Sequence, residues 1–288
     1  MTMMLVTGTT SAVGNAVLKE LLARKIPVRA FVRKPSVAEK LEAQGVEAFL
    51  GDMTERESVQ KALQGIESVY LISPLTAHLL ATEQLWAEEA RKAGVRYLVK
   101  QSEIGADPQS LSPLLHYHGR AEDAIRTSGV PYTILRTLYF MQNFAPMYAH
   151  SISSRGMIYA PLANARISYV DARDVGAVAA HLLTEEGYQY QEYEVTGPEA
   201  LSCVQLAEIF STVLDVPVRY TAISDEDAQQ ALLKRYPAWT AHAVITLLQF
   251  YRQGGGASVT RVIEDVTARK PCTVVTYLTE HVQAFQTV

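Results

Sequence analysis

From residue 3 to residue 136 the sequence alternates short apolar runs with stretches of helical apolar spacing, and it passes through six such runs. The runs at 3–7, 28–32, 46–50, 68–72, 97–100 and 132–136 have the length and β-branched content of buried strands. Between them, apolar residues recur every three or four positions, as in Val17, Leu18, Leu21 and Leu22 of a helix over 13–23. Further helices are expected at 37–44, 55–63, 82–93 and 120–127. This order implies an α/β fold, a Rossmann-type doubly wound parallel sheet with helices on both faces. Beyond 136 the alternation loosens. A helix at 172–183 and a strand at 193–196 are expected to return to the sheet. The reading is therefore a dinucleotide-binding domain over 1–143 with 172–197, and a smaller substrate-covering part over 144–171 and 198–288.

With 288 residues, 48% of them hydrophobic, the chain can bury such a core. Its 26 basic and 30 acidic residues give a net charge of −4, which supplies no pull toward nucleic acid or anionic membrane. Cys203 and Cys272 have no ligand spacing, and His116 with His118 lacks a third partner, so neither a disulfide framework nor a metal site is expected. The N-terminus has neither a signal-peptide nor a membrane-span pattern, and the chain is expected in the cytoplasm. A homodimer is compatible with this composition.

Chemistry concentrates where the first strand meets the first helix. Gly8, Thr9, Thr10, Ser11, Ala12, Val13 and Gly14 form a small-residue turn at a helix N-terminus, where free backbone N–H groups and the helix dipole favour a pyrophosphate. The competing account is an ordinary tight turn. Ser11 occupies the place where many dinucleotide folds have a middle glycine, so its Cβ is expected to crowd the phosphate while its hydroxyl offers a donor. After the second strand come Arg33 and Lys34 in place of the acidic residue that would hold the 2′-hydroxyl of NAD. Cations suit a 2′-phosphate, hence NADPH, with NADH as second candidate. Asp52, at the end of the third strand, is placed either for an adenine edge or for an Asx turn.

The segments SGVPYTILRTLYFMQNF, VDARDVGAVAAHLL and YEVTGPEALS, together with TGTTSAVG, resemble the NmrA-like group of atypical short-chain dehydrogenase/reductases across nearly the whole chain. The turn departs from the group's TGATGxxG. The resemblance implies pyrophosphate binding by Gly8 to Gly14, 2′-phosphate binding by Arg33 and Lys34, and adenine contacts from Asp52 and Met53. It further implies a ribose-side lining of Ile72, Ser73 and Pro74, and nicotinamide-side positions at His118, Phe140, Met141 and Asn143. The group includes quinone reductases, triphenylmethane- and azo-dye reductases, biosynthetic imine or enol reductases, and redox sensors with little turnover.

Ordinary short-chain reductases use Tyr-x-x-x-Lys, the lysine lowering the phenol's pKa. Tyr117 starts that spacing, but Ala121 stands where the lysine would be, although Ser102 lies near the expected serine and is expected among the cofactor-binding residues. A quinone, azo bond or dye cation accepts hydride without that acid, because its reduced form takes a proton from water. Tyr117 and His118 are the candidate proton donors, against a plain backbone or ribose contact for His118. Tyr236, Trp239 and Phe250, around an apolar helical stretch at 241–248, are candidate substrate-stacking residues, with a core or dimer-seam role as the alternative. Gly254, Gly255 and Gly256 offer a flexible break. The expected activity is NADPH-dependent hydride transfer to a flat conjugated electrophile. The alternatives are a cofactor-sensing regulator and a biosynthetic reductase.

Overall fold

The computed structural model describes residues 3–286. In chain order the elements are β1 (Met3–Val6), α1 (Ala12–Ala23), β2 (Val28–Val32), α2 (Pro35–Glu42), β3 (Glu47–Leu50), α3 (Arg56–Ala62), β4 (Ile66–Leu71), α4 (Leu79–Lys92), β5 (Tyr97–Glu103), α5 (Pro113–Thr127) and β6 (Tyr132–Thr137). There follow α6 (Phe144–Arg155), β7 (Met157–Ala160), β8 (Arg166–Ile167), α7 (Ala172–Thr184), β9 (Gln191–Val195), β10 (Leu201–Ser202), α8 (Cys203–Leu214), β11 (Arg219–Ala222), α9 (Asp225–Leu233), α10 (Ala238–Phe250), α11 (Val262–Thr267), α12 (Val274–Glu280) and α13 (Gln283–Gln286).

Seven strands form one sheet in the order β3-β2-β1-β4-β5-β6-β9, so the strand sequence reverses direction beside β1. The pairs β1–β2, β2–β3, β1–β4 and β4–β5 are parallel, with Leu5 facing Arg29 on one side and Val69 on the other. Parallel strands need crossover helices, and helices on both faces of the sheet are why the central β1 is apolar throughout. Helices α3 and α4 cover a core of Leu5, Phe31, Val59, Leu63, Val69, Trp86 and Leu98. The expected doubly wound sheet is present; most boundaries move by one to three residues, and those of α5, β4 and β5 bear on the site. Helix α5 begins at Pro113 instead of 120, since proline at a helix start has no N–H to waste. Strand β4 begins at Ile66, and β5 continues past Lys100 through Gln101 and Ser102 to Glu103.

The described residues separate into two compact units. The first holds the residues up to Ser110, Leu115–Arg136 and Val175–Glu194, and the second holds Leu111–Leu114, Thr137–Asp174 and the residues from Val195 onward. In the first, Gly176 of α7 lies so close to α1 that a Cβ there would stand 2.6 Å from the Ala16 Cβ, which accounts for the glycine. The second is built on edge-to-face aromatic contacts around Phe144 with Tyr169, Phe210 and Tyr277, and on two small sheets, β7–β11 parallel and β8–β10 antiparallel. Among the described residues no helix is long and apolar enough to cross a membrane.

Candidate active site

The turn from β1 to α1 is built by two glycines with different duties. Gly8 has φ +61°, and a Cβ there would stand 2.5 Å from Ile72 Cγ2 at the end of β4. A Cβ on Gly14 would stand 2.2 Å from the Gly8 carbonyl oxygen, so the turn closes only with hydrogen at both positions. Thr7 fastens this corner: its hydroxyl donates to Ile72 O (2.9 Å) and accepts from Ile72 N–H (2.8 Å). Ser11 is extended (φ −78°, ψ 161°) and caps α1, its Oγ accepting from Gly14 N–H at 3.0 Å. No glycine is therefore needed at position 11, and the hydroxyl proton stays available to donate. The first turn of α1 carries no acidic side chain. Thr10 and Ala12 are exposed and Val13 is buried. Thr9 is 7% exposed, and its Oγ1 finds no hydrogen-bond partner in the protein. A buried hydroxyl without a partner, on a turn stripped of Cβ atoms at a helix N-terminus, fits a phosphate-bearing ligand.

Arg33 and Lys34 are both exposed where β2 ends, and Lys34 precedes α2 without capping it through its side chain. Asp52 Oδ1 accepts from Thr54 N–H (2.8 Å) and Thr54 Oγ1 (2.7 Å), which is the Asx turn. Those Thr54 bonds, with a smaller contribution from Arg33, hold the Asp52 carboxyl below its ordinary value. The neighbouring Met53 carbonyl accepts from Trp86 Nε1 at 3.1 Å, and its side chain packs on the Phe31–Trp86 core.

The C-terminal end of β5 carries three buried polar residues in a row, Lys100, Gln101 and Ser102. Gln101 Oε1 accepts from Tyr70 O–H at 2.7 Å, and Ser102 Oγ donates to Glu122 Oε1 at 2.6 Å. Glu122 is also held by Arg136 (2.6 Å) and Arg126 (2.8 Å). Ser102 thus has a structural duty on α5, apart from the cofactor role expected of it. Lys100 and Glu83 are both 0% exposed, with Nζ 2.8 Å from Oε2. That contact is an ion pair without a well-aligned hydrogen bond. Ser73 Oγ donates to Glu83 Oε1 (2.7 Å), while Ile72 is tied to Thr7 and Pro74 is exposed. Lys100 Nζ lies 3.0 Å from Nδ1 of His118, which is half-buried on α5 beside the half-buried Tyr117. Desolvation, reinforced by Lys100, holds the His118 imidazole well below its ordinary value. His118 is therefore neutral at physiological pH, in contrast to a proton donor tuned near neutrality. Lys100 and Glu83 were not among the sequence candidates. The only signal for them is a lysine inside an apolar strand.

In the second unit, Phe140 bridges to Val170, and Met141 N–H donates to Val170 O at 2.9 Å. Met141 is fully buried and both its backbone groups are engaged, N–H by Val170 O and O by Phe144 N–H, so it presents nothing to a ligand, against the nicotinamide-side position expected of it, whereas Asn143 is exposed. Gln142 between them was overlooked. It donates to Asp171 Oδ1 (2.8 Å) and accepts from Ala172 N–H (3.0 Å), locking the FMQNF segment to the start of VDARDV. Tyr236 is exposed and Trp239 half-buried at the start of α10. Phe250 closes that helix, and its ring occupies the space over Gly255. Trp239 and Phe250 stand near opposite ends of α10. Helix rise sets them about 16 Å apart at roughly 1.5 Å per residue, so one small planar ligand cannot lie on both. Tyr251–Gly255 form a single π-helical turn that ends in the triple glycine, with φ +96° at Gly254. Among the described residues no three His, Cys, Asp or Glu side chains gather to hold a metal, and both cysteines are free.

A parallel sheet that reverses order beside β1, with a glycine turn capping the next helix at that point, defines a dinucleotide-binding α/β protein. The chain belongs to the NmrA-like family, whose model matches residues 2–278. It is 34% identical over 284 residues to NAD(P)H azoreductase of Xenophilus azovorans, covering 98% of this chain and 99% of the relative. Among solved structures it is similar to Citrobacter sp. triphenylmethane reductase complexed with NADP(H), at 25% identity and a TM-score of 0.85 over 98% of this chain and 99% of that one. It is likewise similar to the NADPH-dependent quinone oxidoreductase of Escherichia coli complexed with NADPH, at 25% identity and a TM-score of 0.87 over the same shares.

Proposed function

We propose that this protein is an NADPH-dependent reductase that delivers hydride to a flat conjugated electrophile of the quinone, azo or dye type. The observation that carries the reading is the buried, unpartnered Thr9 hydroxyl in a turn whose glycines leave the backbone bare. In this reading Gly8 to Gly14 hold the pyrophosphate, with the Ser11 hydroxyl as a donor. Arg33 and Lys34 hold the 2′-phosphate, Asp52 and Met53 face adenine, and Ile72, Ser73 and Pro74 line the ribose side. Phe140 and Asn143 serve the nicotinamide end. The second unit is assigned to the acceptor, with Tyr236 and Trp239 ahead of Phe250.

Bound NADPH supplies the hydride. Tyr117 and His118 orient the acceptor by hydrogen bonding. Ala121 in place of a lysine after Tyr117, and a neutral His118, suit an acceptor whose reduced form takes its proton from water. The three relatives named above, an azo, a dye and a quinone reductase, support this choice of acceptor. We place the protein in the cytoplasm, acting on small molecules as a monomer or homodimer, which sedimentation distinguishes.

The test is a titration with NADPH and NADH, followed by a panel of quinones, azo compounds and triphenylmethane dyes while absorbance of the reduced cofactor is monitored. Tighter NADPH binding with acceptor-dependent oxidation is expected. Tight binding with no oxidation across the panel would sink the reductase and leave a cofactor sensor.

A further inference from the structure

Two fully buried, oppositely charged side chains, Glu83 on α4 and Lys100 on β5, are costly to keep out of water, and nothing in the proposed chemistry uses them. Their hydrogen bonds have a direction. Ser73 Oγ donates to Glu83 Oε1, Glu83 Oε2 pairs with Lys100 Nζ, and Lys100 Nζ donates to Gln101 O at 3.0 Å and meets His118 Nδ1 at 3.0 Å. An ammonium has three donors and no acceptor, so Nδ1 must accept. A neutral imidazole with an accepting Nδ1 carries its proton on Nε2. Among the described residues nothing else bonds to the His118 ring. The remaining charged group on this side, Glu122, is engaged by Ser102, Arg126 and Arg136, and it offers no competing acceptor for Nδ1–H.

We infer that Lys100 and Glu83 are positioning residues that lock His118 in the Nε2–H tautomer, making the ring a fixed neutral hydrogen-bond donor toward an oxygen or nitrogen of the electron acceptor. The acceptor's place in this statement rests on the reductase reading. The tautomer does not. Protonating the ring would set an N–H against the ammonium at 3.0 Å, so His118 cannot cycle as a general acid while Lys100 is in place. The device thus selects substrates that need polarisation of a heteroatom more than a proton in the hydride-transfer step.

Histidine-selective 15N spectra of the full-length wild-type protein test the tautomer directly. One neutral ring with protonated Nε2 and bare Nδ1 is expected, unchanged by acid that has already protonated the exposed histidines. A bare Nε2 with protonated Nδ1, or a ring that titrates with the exposed histidines, overturns the inference. Lys100→Met removes the donor but leaves Glu83 buried without its counter-charge, so Lys100→Met/Glu83→Gln is the variant that keeps the fold testable. In it the His118 ring should exchange between tautomers and titrate nearer its ordinary range, and kcat with a quinone should fall about tenfold or more while NADPH affinity holds. An unchanged ring spectrum in that variant overturns the positioning role, as does equal loss of kcat and cofactor affinity. Absence of turnover in the wild type would remove the reductase reading alone, since the spectra decide the tautomer without any substrate.

Discussion

Replacing Thr9 by valine should move two quantities in opposite directions. The Thr9 hydroxyl is buried at 7% exposure and bonds to nothing in the protein, so the cofactor-free fold carries its desolvation cost uncompensated. Valine keeps the shape and removes that cost, a gain of about 1 kcal/mol from the low end of the range for an unsatisfied buried group. For a chain of this size that corresponds to a rise of about 2–4 °C in the melting midpoint without cofactor. If the same hydroxyl donates to a phosphate, the variant also loses a hydrogen bond to a charged group, about 1.5–3 kcal/mol, or roughly tenfold to a hundredfold in Kd. Thermal melts with and without NADPH, paired with calorimetric titration, measure both. The stabilisation that NADPH confers at fixed concentration should shrink accordingly. A lower midpoint without cofactor, or an unchanged Kd, would refute the argument that this hydroxyl is reserved for a ligand.

Gly14→Ala puts a methyl 2.2 Å from the Gly8 carbonyl oxygen, so the turn must open; a loss of about 1–3 kcal/mol in stability and of measurable NADPH binding is expected in denaturant melts and titration. Arg33→Ala/Lys34→Ala should weaken NADPH about tenfold and leave NADH unchanged, with the difference fading in high salt; equal loss of both cofactors would remove the 2′-phosphate assignment. Asp174 accepts from Cys272 N–H at 2.7 Å, and burial, with Asp171 adding to it, pushes its carboxyl from 3.8 up to about 6. A raised folded value means that its contribution to stability is complete below the unfolded value and is lost as pH rises through about 6. Asp174→Asn keeps an acceptor for Cys272 and should stabilise the protein by about 1–2 kcal/mol near pH 8, after discounting the shift for partial exposure, with little gain near pH 4. Equal gains in urea melts at both pH values would show that the carboxylate is not the cause.

Legibility from the sequence follows the physics of each element. Strand β2 is read at its actual bounds because Val28–Val32, apolar but for Arg29, lies between a proline and two cations. Strand β5 is read too short because Lys100, Gln101 and Ser102 look like a strand end. They stay in the strand because Glu83, Tyr70 and Glu122, 17 to 31 residues away, satisfy them. Local patterning contains no trace of such partners. The glycine turn is legible as a motif, but the reason Ser11 is tolerated is not, since capping depends on a backbone angle. Tyr236, Trp239 and Phe250 look like one aromatic set in sequence, and helix rise separates them.

The three polar residues of β5 also say which alignment of the strand is permitted. Successive side chains of a strand point to opposite faces, so sliding β5 by one residue against β4 would carry Lys100 away from Glu83 and Ser102 away from Glu122. An apolar strand slipped by one position still finds grease on both faces of a doubly covered sheet. A slipped β5 would instead strand the Lys100 ammonium and the Glu83 carboxylate in the interior without each other, and would take the Ser102 hydroxyl from Glu122. Misaligned sheets are thereby rejected during folding at the strand where the site is assembled.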